Sequence, residues 1–238
     1  MLTGMNNLIR LIAGSTVVLL LSLAVGSPVH TSTHHLHPVF GPDIELFNGK
    51  NLDGWRGWFR DGSTDLSQSY SVKDGVLVCQ GQPIGYIQTD RLYENYELIV
   101  EWRFDPEKGA GNSGVLLRVI GEDKVWPNCI EGQLHSTHAG DIWNIGEFPM
   151  KADEERTRGR NTKKAHESSE KPLGEWNQYR ILMDRGNLVL RVNDVVQNKA
   201  TECREIPGRI ALQSEGAHIE FRRVTLRPIV SWTVHENH

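Results

Sequence analysis

The sequence predicts an all-β fold, a single antiparallel two-sheet β-sandwich spanning residues 44–229. Three observations predict it. Short β-branched and aromatic runs recur between turn-forming dipeptides, no segment carries a convincing amphipathic-helix pattern, and glycine is abundant at 23 of 238 residues. Many short strands joined by tight turns are the signature of a sandwich. Hydrophobic residues make up 38% and charged residues 24% of the chain, enough apolar surface for one sizeable core.

At the N-terminus Arg10 precedes an apolar stretch from Leu11 to Val25, with the small residues Ala24 and Gly26 spaced as a cleavage pair. Residues 1–26 are therefore expected to be a signal peptide. A retained anchor is the rival reading, but the run is shorter than the roughly 20 apolar residues a spanning helix needs. No cysteine lies near the cleavage site, which argues against lipoprotein processing. The mature protein is expected to be exported, periplasmic or extracellular, with no membrane association after cleavage. Residues 27–43, rich in His, Thr and Pro, read as a linker. His34-His35 with His37 could gather a metal adventitiously, although a solvated linker is the plainer reading.

Within the domain, Tyr70–Val72 and Val76–Val78 flank Lys73-Asp74-Gly75, a hairpin signal. From Tyr96 to Phe104 the pattern alternates, with Leu98, Val100, Trp102 and Phe104 on one face and Glu97, Ile99, Glu101 and Arg103 on the other. Further strands are expected at Val115–Val119, Ile130–His135, Gln178–Met183, Leu188–Val192, Ile210–Gln213 and Ile219–Leu226. Residues 136–175 lack a persuasive strand and read as a long functional loop. Its first half, with Trp143, Ile145, Phe148 and Met150, is expected to pack on the domain. The polar second half, Lys151–Lys171, is expected to be solvated. Residues 230–238 read as a polar tail. Cys79, Cys129 and Cys203 allow one disulfide or three buried thiols, of which buried thiols are the preferred reading. No Cys/His spacing suggests a structural zinc site. A net charge of −4 without a basic cluster gives no nucleic-acid footprint.

Seven segments in order resemble one family. Leu46-Phe47-Asn48-Gly49-Lys50 through Gly54-Trp55 resembles the opening motif of the 3-keto-disaccharide hydrolase family (domain of unknown function 1080). Tyr70-Ser71-Val72 through Asp74-Gly75-Val76-Leu77 resembles its first hairpin, and Tyr96-Glu97-Leu98 through Glu101-Trp102-Arg103 its next strand. Asn112-Ser113-Gly114-Val115 with Arg118, Glu131 with Gln133, Lys171-Pro172 through Trp176-Asn177, and Gly208–Gln213 through Phe221-Arg222 complete the set. The resemblance runs from about residue 44 to 228. It implies a concanavalin A-like jelly roll and cleavage of glycosides already oxidised to a ketone at C3, by hydrolysis or by elimination and hydration. The partner it implies is an oxidised disaccharide or glycoside, a neutral molecule compatible with the charge balance. The sequence has no GxGxxG fingerprint, so a separate oxidoreductase is expected to make the 3-keto sugar.

A C3 ketone acidifies the C2 proton and places the glycosidic oxygen β to the carbonyl. Cleavage then needs a base, donors for the enolate and an acid at the leaving oxygen, not the paired carboxylates of ordinary glycosidases. Strand period puts Glu131, Gln133 and His135 on one face and Ile130 and Leu134 toward the core. Such a row is equally the solvated face of an antiparallel strand. With the resemblance, Glu131 is assigned as general base and His135 as the group that assists the leaving oxygen. Arg118, Gln133 and Asn112 bind the sugar and its ketone. Arg118 has a surface ion pair as its plainer role, and Asn112-Ser113-Gly114 also fits a turn.

Gln213 and Glu215 form another same-face pair. Where the family pattern has Asp followed by His, this sequence has Ser214-Glu215. Glu101 and Arg103 are either groove residues or a structural pair, and Trp143 either stacks on a sugar or plugs the loop. No cofactor is expected. The alternative is a divalent cation on Glu131, His135 and Glu215 that polarises the ketone. A non-catalytic lectin-like module is the rival function on the same fold, and an interaction domain with Lys151–Lys171 as docking arm is a third.

Overall fold

Alternating apolar and polar residues extend the chain into strands whose apolar faces are covered only when two sheets stack. The computed structural model describes residues 36–234. Its first strands are β1 (Leu36–Phe40), β2 (Ile44–Glu45), β3 (Trp55–Phe59), β4 (Tyr70–Lys73), β5 (Val76–Cys79) and β6 (Gly85–Thr89). Next come β7 (Tyr96–Arg103), β8 (Gly114–Ile120), β9 (Asn128–Gln133), β10 (Ile142–Ile145), β11 (Lys151–Ala152) and β12 (Thr157–Arg158). The series ends with β13 (Asn161–Thr162), β14 (Asn177–Asp184), β15 (Asn187–Val192), β16 (Val195–Thr201), β17 (Arg209–Ser214) and β18 (Ile219–Val234). The only helix among the described residues is a short 3-10 turn, Leu66–Gln68.

One sheet has the order β11-β16-β15-β14-β7-β18-β5-β4, with β1 and β2 also paired to β18. The other runs β12-β13-β10-β9-β8-β17-β6-β3. Both are antiparallel, as the sequence predicts. Between them Leu98, Val100, Trp102 and Phe104 of the β7 segment pack in one core cluster with Val115, Leu117, Ile130 and Leu134. Each such side chain, fully buried, contributes about 1.5–3 kcal/mol relative to exposure. Gly132 keeps the sheets close, since a Cβ there would lie 2.9 Å from the Tyr179 hydroxyl. The three cysteines are buried free thiols.

The boundaries differ from the sequence reading at both ends. Part of the expected linker and tail is strand: β1 pairs with the far half of β18 from Leu36–Val234 to Phe40–Ile229. The sixteen-residue β18 offers unpaired backbone groups that β1 satisfies, a long-range match that no local periodicity announces. The expected signal peptide lies outside the described residues. The 136–175 loop is also corrected, because it contains β10 to β13. Ile142, Ile145 and Phe148 are buried, as expected for its first half. The second half is not simply solvated: β11 joins β16, β13 joins β10, and Asn198 Nδ2 donates to the Gly140 and Thr162 carbonyls. These strands add to sheet edges by backbone pairing, so a polar sequence suffices.

Candidate functional site

On β6, β8, β9 and β17 the residues that alternate with the core point to the outer face of the eight-stranded sheet. There Tyr86, Leu116, Cys129, Ile145 and Ala211 form a second, smaller apolar cluster, against which Trp58 and Trp143 pack. Glu131 and Gln133 continue the parity of Cys129, and Gln213 that of Ala211. The polar row thus stands on an apolar floor rather than facing open water. Glu131 is only 4% exposed and lies opposite Leu116 on β8 and Trp143 on β10.

Gly114 makes this packing possible. A Cβ on it would lie 2.4 Å from Glu131 Oε1 and 2.5 Å from Gln213 Oε1, so both side chains fold over its bare backbone. The Asn112-Ser113-Gly114 segment is not a free turn: Ser113 Oγ donates to the Gln213 carbonyl at 2.9 Å, and the Ser113 carbonyl accepts from Leu134 N at 2.9 Å.

Two adjoining hollows of about 330 and 200 Å³ share Asn112, Gln133 and Trp143 and together make one groove. At one end lie Glu131, Glu215, Arg160, Ile145 and Trp126. At the other lie His135, His138, Asp141, Asn161 and Lys163. Asn112 Nδ2 donates to Glu215 Oε2 at 2.8 Å. Gln133 Oε1 accepts from the Leu134 and His135 amides at 2.9 and 2.8 Å, which leaves its NH2 for a ligand. Glu131 Oε1, both amide atoms of Gln213 and Asn112 Oδ1 are buried without a partner. Buried polar groups are nearly always satisfied, so several orphans in one place need an explanation.

Burial pushes the Glu131 carboxyl well above its usual range, the nearby Glu215 pushes it further, and Arg160 opposes both. Burial also raises Glu215, to about 7. Two carboxyls in one groove with elevated affinity for protons are suited to proton transfer near neutrality. Desolvation lowers His135, His138 adds to the effect and Asp141 opposes it. The His135 and His138 rings are 5.0 Å apart, and His138 Nδ1 is 3.7 Å from Asp141 Oδ2. This end of the groove therefore offers a neutral imidazole beside a second histidine that faces a buried carboxylate.

Of the residues singled out in the sequence, Asn112, Glu131, Gln133, His135, Trp143 and Glu215 line the groove, and Gln213 lies in its floor. Three do not belong to it. Arg118 is 0% exposed and donates to the carbonyls of Arg185 at 2.8 Å, Cys203 at 3.3 Å, Glu94 at 3.4 Å and also Arg204. Its φ of 51° sits where the β8–β9 register shifts between Leu117 and Ile120. A bulge there re-aims the side chain, so counting by twos from Asn112 fails at this position. Glu101 and Arg103 lie on the outer face of the other sheet. Glu101 accepts from Arg222 Nε at 2.5 Å and Arg103 donates to Glu220 at 2.7 Å, so both serve structural pairs.

Sequence reasoning did not single out Trp126, His138, Asp141 or Arg160. Trp126 is 40% exposed, and a large exposed aromatic beside polar groups is a sugar-stacking signal only once exposure is known. The other three lie inside the 136–175 segment, whose length was itself the signal.

Residues 42–227 match the sequence profile of the 3-keto-alpha-glucoside-1,2-lyase-like domain. A 3-keto-disaccharide hydrolase of Bacteroides thetaiotaomicron is 26% identical over 170 residues, which cover 63% of this chain and 56% of that protein. The chain thus spans little more than half the length of that relative. Among solved structures, a candidate glycosyl hydrolase of Parabacteroides distasonis superposes with a TM-score of 0.59 at 22% identity, covering 79% of this chain and 94% of that one. A carbohydrate-binding module of Bacillus subtilis gives 0.52 at 10% identity over 72% and 94% of the two chains. The β-glucanase of Bacillus licheniformis gives 0.50 at 13% over 82% and 99%. These likenesses establish the jelly-roll sandwich.

Proposed function

The chain belongs to the 3-keto-alpha-glucoside-1,2-lyase-like domain family, and from that premise we propose that it cleaves glycosides oxidised to a ketone at C3. Its domain is carbohydrate-hydrolase-like; the 3-keto substrate, the elimination route and the residue roles are our reading. Glu131 removes the C2 proton, and the electron pair of that bond becomes the enolate of the C3 ketone. Asn112 and the amide of Gln133 donate to the sugar and to the ketone oxygen, where negative charge develops, and Gln213 packs beneath them against Glu131 over Gly114. The enolate expels the oxygen at C1, which takes a proton from Glu215, whose carboxyl burial raises to about 7, and a C1=C2 bond forms. Water then adds its hydroxyl to C1, Glu131 returns its proton to C2, and the second water proton restores the acid. Trp126 and Trp143 give apolar faces on which a pyranose ring can stack.

One observation carries this reading: Glu131 is a buried carboxyl with an unpartnered oxygen in a sugar-sized groove. Leaving such a group unmatched costs about 1–3 kcal/mol or more. A lectin gains nothing from that cost, whereas a base for a weakly acidic C–H needs an elevated pKa. The protein is expected to be exported, and a separate oxidoreductase is expected to supply its substrate.

The test is incubation of purified protein with 3-keto-glucosides and their unoxidised parents, following aglycone release and the unsaturated keto-sugar. Only the keto-glucosides should react, and Glu131→Gln should lower turnover by about 10²–10⁴-fold with an unchanged thermal unfolding profile. Binding without turnover would establish the lectin instead. Wild-type turnover in Glu131→Gln would remove that residue from the chemistry.

A further inference from the structure

On the outer face of the ten-stranded sheet β7 and β18 run antiparallel, with Arg103 opposite Glu220. Asp105, two residues past Arg103, lies beside His218, two residues before Glu220. Because Trp102, Phe104, Ile219 and Phe221 all point into the core, the four polar residues between and beside them share the other face. Arg103 and Glu220 are fixed by the strand ladder, and Asp105 and His218 lie just beyond the ends of β7 and β18.

One ligand atom each from Asp105, His218 and Glu220 lie within 4.8 Å of one another. His218 Nε2 is 3.4 Å from Glu220 Oε1. That is long for an N–H···O hydrogen bond, which prefers about 2.9–3.0 Å. Two donors each about 2.0–2.1 Å from one ion at the tetrahedral angle are held roughly 3.3 Å apart. The remaining carboxylate oxygens are already engaged: Glu220 Oε2 accepts from Arg103 Nε at 2.7 Å, and Asp105 Oδ1 from the Glu107 amide at 2.8 Å. Arg103 is itself held by its stack on Trp176, at 4.5 Å. Outer hydrogen bonds of this kind orient carboxylates toward a metal. The His218 side chain is 13% exposed and its Nδ1 is buried without a partner, so Nε2 is the nitrogen left for a ligand.

We propose that Asp105, His218 and Glu220 bind a divalent transition-metal ion. One imidazole and two carboxylates with no thiolate suit Zn²⁺, with Mn²⁺ as the harder alternative. Three protein ligands leave a position for water. The ion ties the end of β7 to the start of β18, three residues beyond Glu215, and so braces the turn that carries this groove residue.

The full chain, stripped of metal, is titrated with Zn²⁺ while its unfolding temperature and bound zinc are followed. A saturable rise of about 5–10 °C is expected at a hundredfold excess over Kd. Asp105→Asn and His218→Gln should each weaken binding at least tenfold, an outer-contact loss alone being worth about 10–100-fold. Glu220→Gln, which still offers Arg103 an acceptor, is a third arm should either variant fail to fold. The N-terminal histidines His30, His34, His35 and His37 can hold zinc on their own. Zinc bound there survives all three substitutions. Absence of a rise, or a rise that persists in the variants, overturns the proposal.

Discussion

Gly114→Ala tests the packing of the groove with a single methyl group. The backbone at Gly114 is ordinary extended strand, so alanine meets no conformational penalty there. The new Cβ, however, would lie 2.4 Å from Glu131 Oε1 and 2.5 Å from Gln213 Oε1, where ordinary contact begins at 3.4 Å. Each side chain must therefore withdraw by about 1 Å. A 1 Å misplacement of a reacting group costs about 10²-fold in rate, and overpacking costs typically about 1–3 kcal/mol of stability. Because both clashing atoms are side-chain ends bordering a groove, the stability loss should fall at the lower end of that range. The assay pairs kcat/KM on a 3-keto-glucoside with chemical denaturation. Gly186→Ala serves as control, since its Cβ would meet its nearest neighbour, the Cys203 carbonyl, at an ordinary 3.5 Å. A Gly114→Ala enzyme with wild-type kcat/KM would show that neither Glu131 nor Gln213 must hold its present position, and the mechanism built on them would fall.

Glu215→Gln removes the charge that, after burial, raises the Glu131 carboxyl, while its side-chain oxygen can still accept from Asn112. The ionised form of Glu131 is the base, so the acid limb of the kcat/KM–pH profile should move to lower pH; an unmoved or upward-shifted limb would separate the two carboxyls. Arg118→Leu strips donors from one buried and three part-buried carbonyls. The buried Cys203 carbonyl, left without its donor, costs about 1–3 kcal/mol and the part-buried ones less, so unfolding free energy should drop by at least about 1 kcal/mol. The folded fraction should keep its kcat/KM; loss of activity without loss of stability would return Arg118 to the groove.

Much of the site was legible because strand parity is a local property. Glu131 and Gln133 alternate with Ile130 and Leu134, and that alternation alone fixes which side chains leave the core. Parity says which face a residue takes but not which sheet carries it. Glu101 and Arg103 were rightly placed on the polar face of their strand, but that strand belongs to the other sheet. Arg118 failed for a different reason: the bulge at its position depends on how β8 pairs with β9, and no pattern within β8 encodes it. His138, Asp141 and Arg160 reach the groove because β10 and β13 add to the edge of β9 by backbone hydrogen bonds, which a polar sequence makes as well as an apolar one.

The sequence by itself determined the all-β class, the sandwich, the order of the principal strands, the family and the outward row at residues 131 to 133. Each of these follows from periodicity, turn chemistry or ordered motifs, which act over a few residues at a time. Only the tertiary structure decided that Asn112, Glu131, Gln133 and Glu215 meet in one groove, that Arg118 is buried, and that Asp105 lies beside His218. Those outcomes depend on which distant strands share backbone hydrogen bonds. Every residue presents much the same backbone groups for pairing, so the partner is chosen by the packing of the whole chain.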